Sequence, residues 1–135
     1  NDKNRSIDLQ QFKPLLSRND CRFYSLQVGR ESDQQRQIFE QYQVVDLSPQ
    51  LTDFALTAAA IQQLDLVITV DTSVAHLAGA LGKPVWTLLP YIPDWRWLLD
   101  RDDSPWYPSM RLFRQTQAGD WPGVFARASK ALDSL

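Results

Sequence analysis

The segment DTSVAH, residues 71–76, gathers the side chains best suited to chemistry in this 135-residue sequence. It holds an acid (Asp71), two hydroxyls (Thr72 and Ser73) and the chain's only histidine, His76. Aspartate, serine and histidine are the members of a hydrolytic triad. However, no G-x-S-x-G elbow surrounds Ser73, and three members on one helical turn cannot easily take up triad geometry. Metal binding needs a ligand cluster, and the single histidine and single cysteine, Cys21, lie far apart in sequence. A P-loop and a G-x-G-x-x-G turn are both absent. What remains is anion binding. The first backbone N–H groups of a helix have no internal partner, so they point outward and favour a phosphate. The plain alternative is that Thr72 or Ser73 caps the helix and Asp71 favours the same terminus by charge. A helix terminus supplies only about 1–2 kcal/mol, whereas micromolar binding needs about 8 kcal/mol. A nucleotide site here must draw on other loops.

The elements around the segment would place it well. DLVITV (65–70) is apolar with almost no alternation, as in a strand covered on both faces of a parallel sheet. The spacing of Val74, Leu77, Ala78 and Leu81 predicts a helix over 73–81, with Gly82 as its stop. PVWTLL (84–89) reads as a second buried strand. Upstream, the pattern predicts a helix over 8–17 containing Pro14, a strand over 21–28 and a largely solvated helix over 34–43, capped from Ser32 or Asp33. A short strand at 43–47 and a helix over 54–64 follow, the latter capped by Thr52 or Asp53 and burying Phe54, Ala58, Ile61 and Leu64. A strand at 111–115 precedes a closing helix over 121–134 with a stripe of Trp121, Val124, Phe125, Ala128 and Leu132.

Alternating strands and helices imply a single α/β domain over 1–135, a Rossmann-like, doubly wound parallel sheet with right-handed crossovers. In such sheets ligands sit beyond the carboxyl ends of the strands, where Asp71, Thr72 and Ser73 fall. The alternation opens with a helix, so the first, central strand is expected to be missing and the chain to be part of a larger protein. An unpaired central edge would favour self-association. The loop 90–110 carries Trp95, Trp97, Trp106 and Tyr107 among four prolines. These aromatics suit a cover over the sheet end, a partner-facing surface, or a platform for sugar or base.

Composition narrows the classes. With 14 basic and 16 acidic residues and a net charge of −2, a nucleic-acid or anionic-membrane surface is not expected. One cysteine excludes an intrachain disulfide and fits a reducing, cytoplasmic setting. No apolar run approaches the roughly 18–20 residues of a membrane span. Among the basic residues Lys3, Arg5 and Lys83, Arg5, just before the first helix, is the candidate phosphate contact.

VITVDTSVAHLAGALGKPVW (67–86) resembles the signature of heptosyltransferase-type glycosyltransferases, glycosyltransferase family nine. YIPDWRWLLDRDDSPWYPSMRLFRQ is similar to the branch fused to tetratricopeptide repeats in bacteria, and NDKNRSIDLQQFKPLL to the segment after that domain's first strand. The resemblance implies a GT-B fold of two Rossmann-like halves, of which this chain would be the C-terminal, nucleotide-sugar half. It implies a nucleotide-diphospho-sugar substrate, no metal or other cofactor, and inversion at the anomeric carbon. By the same resemblance Asp71 would contact donor sugar hydroxyls. Thr72, Ser73 and Val74 would offer backbone N–H groups to the diphosphate, with His76 beside it. Arg5 stands where the family often has a phosphate-binding lysine, and Gln27 and Glu31 where ribose or base contacts are expected. The catalytic base normally comes from the N-terminal half, so no catalytic residue is expected here and the chain alone should be inactive. Ser73 replaces the family's usual glycine, which narrows the room for phosphate. The competing expectation is a degenerate, non-catalytic half that serves as an interaction module beside tetratricopeptide repeats.

Overall fold

The computed structural model describes residues 9–27, 33–70, 72–91 and 107–135. Arg5, Glu31, Asp71, Trp95, Trp97 and Trp106 lie outside the described residues. In chain order there is a turn of 3-10 helix (Leu9–Phe12) leading into α1 (Lys13–Leu16), then β1 (Tyr24–Ser25), α2 (Asp33–Tyr42) and β2 (Val45–Asp46). A second 3-10 turn (Ser48–Gln50), α3 (Phe54–Gln62), β3 (Val67–Val70) and α4 (Ser73–Ala80) follow. The chain closes with β4 (Val85–Leu89), β5 (Met110–Arg114) and α5 (Trp121–Leu132).

Every strand pairing is parallel, as the alternation of elements predicts, but the strands fall into two groups. β1 pairs with β2, and β3, β4 and β5 form a separate sheet in that order. β4 has a neighbour on each side, Val67 to Val70 on one and Met110 to Arg114 on the other, and all five of its residues are buried.

The local chemistry explains the element ends. Pro14 sits in the first turn of α1, where its missing N–H costs no helix bond. Asp53 caps α3 by accepting a hydrogen bond from the Leu56 N–H at 2.8 Å, and Asp120 caps α5 through the Gly123 N–H at 3.1 Å. Gly82, at φ 71°, ends α4. Its N–H reaches the Gly79 carbonyl and that of Lys83 the Ala78 carbonyl, each at 3.0 Å, the paired closure that a left-handed glycine permits.

Two apolar clusters sandwich the strands. On one face Ile61 of α3 and Ala75 and Ala78 of α4 pack on Val67, Val85, Leu89, Met110 and Leu112, joined by Leu26. On the other, Leu15 of α1 and Val124, Phe125, Ala128 and Leu132 of α5 pack on Trp86, Leu88 and Phe113, joined by Phe12 and Phe23. Leu26 and Phe23 flank β1, so both groups of strands share the same two covering layers.

Three expectations are corrected. Phe54 is 66% exposed rather than buried. It shares the Ile61 stripe, but it sits at the first turn of the helix, where it lines the open cleft. The strand expected over 21–28 shrinks to two ladder residues, because among the described residues β2 is its one partner. β3 was expected to be covered on both faces, yet Ile68, Thr69 and Val70 are only half-buried.

Candidate functional site

The site begins where β3 hands the chain to α4. Thr72 holds the N-cap position with extended backbone (φ −137°, ψ 175°), but its side chain makes no cap bond to the helix. Its hydroxyl instead donates to the Val70 carbonyl at 3.3 Å and lies 3.3 Å from the Thr69 hydroxyl. The Thr72 carbonyl accepts the first helical bond, from the Ala75 N–H at 3.1 Å. Ser73 and Val74, the first helical residues, therefore have no carbonyl inside the helix to which their N–H groups could donate. Of the two capping candidates, Thr72 occupies the position without performing the bond. Among the described residues no side chain caps the helix start.

This terminus opens onto a cleft of about 1180 Å³ that runs between β3 and β1. Thr72, Ser73 and Val74 line it on one side, and Gln27, just past the carboxyl end of β1, lines it on the other. Four sequence-predicted residues therefore share one cavity. Gln27 and Ser73 are exposed, and the Gln27 N–H is turned back onto the Ser25 hydroxyl at 3.3 Å. Arg5, Glu31 and Asp71 fall outside the described residues.

His76 does not line the cleft. Its Nδ1 lies 3.3 Å from the Tyr107 hydroxyl, and the two rings meet edge to face at 5.7 Å. Tyr107 in turn lies against Gly79, so closely that a Cβ there would stand 2.5 Å from the tyrosine Cγ. The ring thus spans α4 from Gly79 to His76 and fixes the histidine one turn behind the helix start. Sequence reading placed Tyr107 in an aromatic loop and missed this contact. The signal available was the glycine in AHLAG three residues after His76, a gap on the helix face that a ring can fill.

The resolved proton-affinity shifts lie at the far, amino-terminal rim of β1. Arg18 holds Asp20 in a bidentate pair through one guanidinium edge, Nε at 3.0 Å and Nη2 at 2.7 Å; Nη2 also reaches Asp133 at 2.7 Å, and Nη1 donates to the Ser129 carbonyl at 2.9 Å. The Arg18 hydrogen bonds hold the Asp20 carboxyl below the usual carboxylate range. Burial, reinforced by Asp20, pushes the Cys21 thiol up, away from the reactive thiolate. Among the described residues no group of three His, Cys, Asp or Glu side chains could hold a metal ion. No helix among them is long and apolar enough to cross a membrane.

Residues 17–124 match glycosyltransferase family 9 (heptosyltransferase), a span that includes both sides of the cleft. The chain belongs to this glycosyltransferase family. It is also 38% identical over 88 residues to Protein FlbA of Caulobacter vibrioides. That similarity covers 65% of this chain and 14% of FlbA, so the family 9 domain seen here corresponds to a small part of that relative. No solved structure matches. The parallel α/β architecture agrees with the Rossmann-like half of a GT-B fold that family membership leads one to expect.

Proposed function

We propose that this family 9 domain is the donor half of an inverting, metal-independent glycosyltransferase and binds a nucleotide-diphospho-sugar at the start of α4. The observation that carries the reading is the uncapped helix terminus at the carboxyl end of β3, facing Gln27 across one cleft. The diphosphate would accept from the Ser73 and Val74 N–H groups, where the helix dipole also favours negative charge. Because that terminus contributes only about 1–2 kcal/mol, Gln27 and Glu31 on the ribose or base and Arg5 on phosphate supply the remainder. Asp71 reads the donor sugar hydroxyls. His76, held by Tyr107 one turn behind the helix start, lies beside the diphosphate. Family 9 chemistry also needs an acceptor and a base. Both belong to a second, N-terminal half, so the 135-residue chain binds donor without transferring sugar.

Calorimetric titration with ADP, UDP, GDP and CDP, on the wild type and on Arg5→Ala and Asp71→Ala, tests this. Saturable binding of one nucleotide, weakened by Arg5→Ala, is expected. Asp71→Ala should leave the bare nucleotide unaffected and weaken the matching sugar nucleotide. Failure of all four to bind a folded sample would overturn the reading and favour a non-catalytic interaction module. Sugar transfer by the isolated chain would overturn the claim that it is inactive alone.

A further inference from the structure

Phe54 is more exposed than any other large apolar side chain among the described residues except Leu135. Its place is set by α3. That helix feeds β3 through residues 63–66 and so runs back alongside the strand. Ile61 shares an apolar cluster with Val67, at the amino end of β3, and Phe54 stands on the same stripe two turns earlier. From Phe54 to Ile61 the helix rises about 10 Å, which matches the roughly 10 Å of strand from Val67 to Val70. The ring therefore stands level with the carboxyl end of β3, where Thr72 and Ser73 begin α4. It lines the same cleft as those two residues and Gln27.

Two helices thus begin at this mouth, and their first turns differ. α4 starts without a side-chain cap, which suits an anion. α3 is closed by its own acid, since the Asp53 carboxylate accepts from the Leu56 N–H at 2.8 Å. That charge satisfies the helix dipole and repels phosphate. Thr57, one turn on, also lines the cleft, with its hydroxyl turned back to donate to the Asp53 carbonyl at 3.2 Å. The α3 side of the mouth therefore offers a flat apolar ring, and the α4 side offers N–H groups without a helical acceptor. A nucleoside diphosphate has the same two-part character, a flat base joined through ribose to an anionic tail. We infer that Phe54 is the base platform of the donor site. The base lies on its ring while the diphosphate meets the start of α4. Gln27, exposed at the end of β1, presents an amide donor and acceptor to the polar edge of the base. A phenyl ring left in water gains when a base covers it, and the offset contact of two π faces adds to the gain from area alone. This role presupposes the donor reading and sharpens it, because part of the affinity then resides on α3, outside the DTSVAH segment.

The test titrates ADP, UDP, GDP and CDP calorimetrically into the wild-type chain and into variants of α3. For the nucleotide that the wild type binds, Phe54→Ala is expected to raise Kd at least about fivefold, the lower end of base–aromatic stacking. Phe54→Leu, apolar but without a π face, should lose most of the same affinity, and Phe54→Tyr should stay within about twofold of the wild type. Leu56→Ala is the control. Leu56 is also exposed on α3 but does not line the cleft, so its substitution should leave Kd unchanged. Substitutions at an exposed position keep the fold, which Tm verifies for each variant. An unchanged Kd in Phe54→Ala, or a Phe54→Leu variant equal to the wild type, overturns the base platform and leaves the donor reading standing. An equal loss in Leu56→Ala also overturns it, because the effect would then belong to α3 as a whole. Failure of all four nucleotides to bind the wild type overturns both together.

Discussion

β3 and β4 come from runs of nearly the same character, DLVITV and PVWTLL, yet they fare differently. All five residues of β4 are buried, including the Thr87 hydroxyl-bearing side chain at 0% exposure. In β3 only Val67 is buried, and Ile68, Thr69 and Val70 remain half-open. α4 packs on both strands. The lateral neighbours differ. Among the described residues β4 has a strand on each side, and β3 has one strand and a cleft. An apolar run without alternation therefore reports how a strand is meant to be surrounded, which is more than its side-chain faces alone require. The composition of β3 is that of an interior strand standing at an edge.

Truncation separates the two most sharply. Leu88, wholly buried in β4, should lose about 2–5 kcal/mol on Leu88→Ala, the usual range for a core leucine that leaves a cavity. Ile68→Ala, on the half-open strand, should cost about 1 kcal/mol, because much of the side chain is already in contact with water. Urea unfolding of both variants measures the difference. Equal losses would show that β3 is as well covered as β4 and would remove the basis of the comparison.

The two ends of α4 offer a smaller version of the same contrast. Its start is open at Ser73 and Val74, whereas its later face is closed by Tyr107 lying on Gly79. Gly79→Ala gains up to about 1 kcal/mol of helix propensity, but its new methyl must displace the ring. The expected net loss is about 1–2 kcal/mol, within the usual cost of overpacking. In a Tyr107→Ala background the same substitution should be neutral or stabilising. A double-mutant cycle by thermal unfolding reads the coupling, and its absence would mean that the ring moves aside freely.

How much of this was legible beforehand follows from where each signal resides. The parallel α/β class, the Gly82 stop, the Asp53 cap and the α5 stripe were readable because each is a local pattern that its own residues satisfy. Thr72 was readable as a cap position but not as an uncapped one, since its hydroxyl chooses between the helix amides and the Val70 carbonyl, and sequence does not rank those acceptors. The burial of Phe54 was misjudged because periodicity identifies a helix face and says nothing of whether a partner stands opposite the end of that face. Tyr107 was missed because its partners, His76 and Gly79, lie about thirty residues away in sequence. Gln27 joined Thr72, Ser73 and Val74 in one cleft because the carboxyl ends of parallel strands converge, a property of topology that the alternation of elements already implied.

The smallest expected effect concerns what holds the β1–β2 pair to the rest of the molecule, since among the described residues no strand joins β1 to β3. Arg18, on the approach to β1, ties Asp20 to Ser129 and Asp133 at the end of α5. Because its hydrogen bonds to Arg18 lower the Asp20 carboxyl below its unfolded value near 3.9, the native state binds that proton less readily than the unfolded chain. The resulting stabilisation is complete above about pH 4 and is lost as the pH falls through the lower, folded value. Asp20→Asn should therefore lower Tm slightly at pH 6, and its difference from the wild type should shrink toward zero as acid protonates Asp20 in both states. Asp20 is well exposed, so added salt should reduce the difference as well. A Tm difference that persisted unchanged from pH 6 to pH 2 would assign the effect to lost packing, and the Arg18 tie would then contribute no charge-dependent hold on the smaller pair of strands.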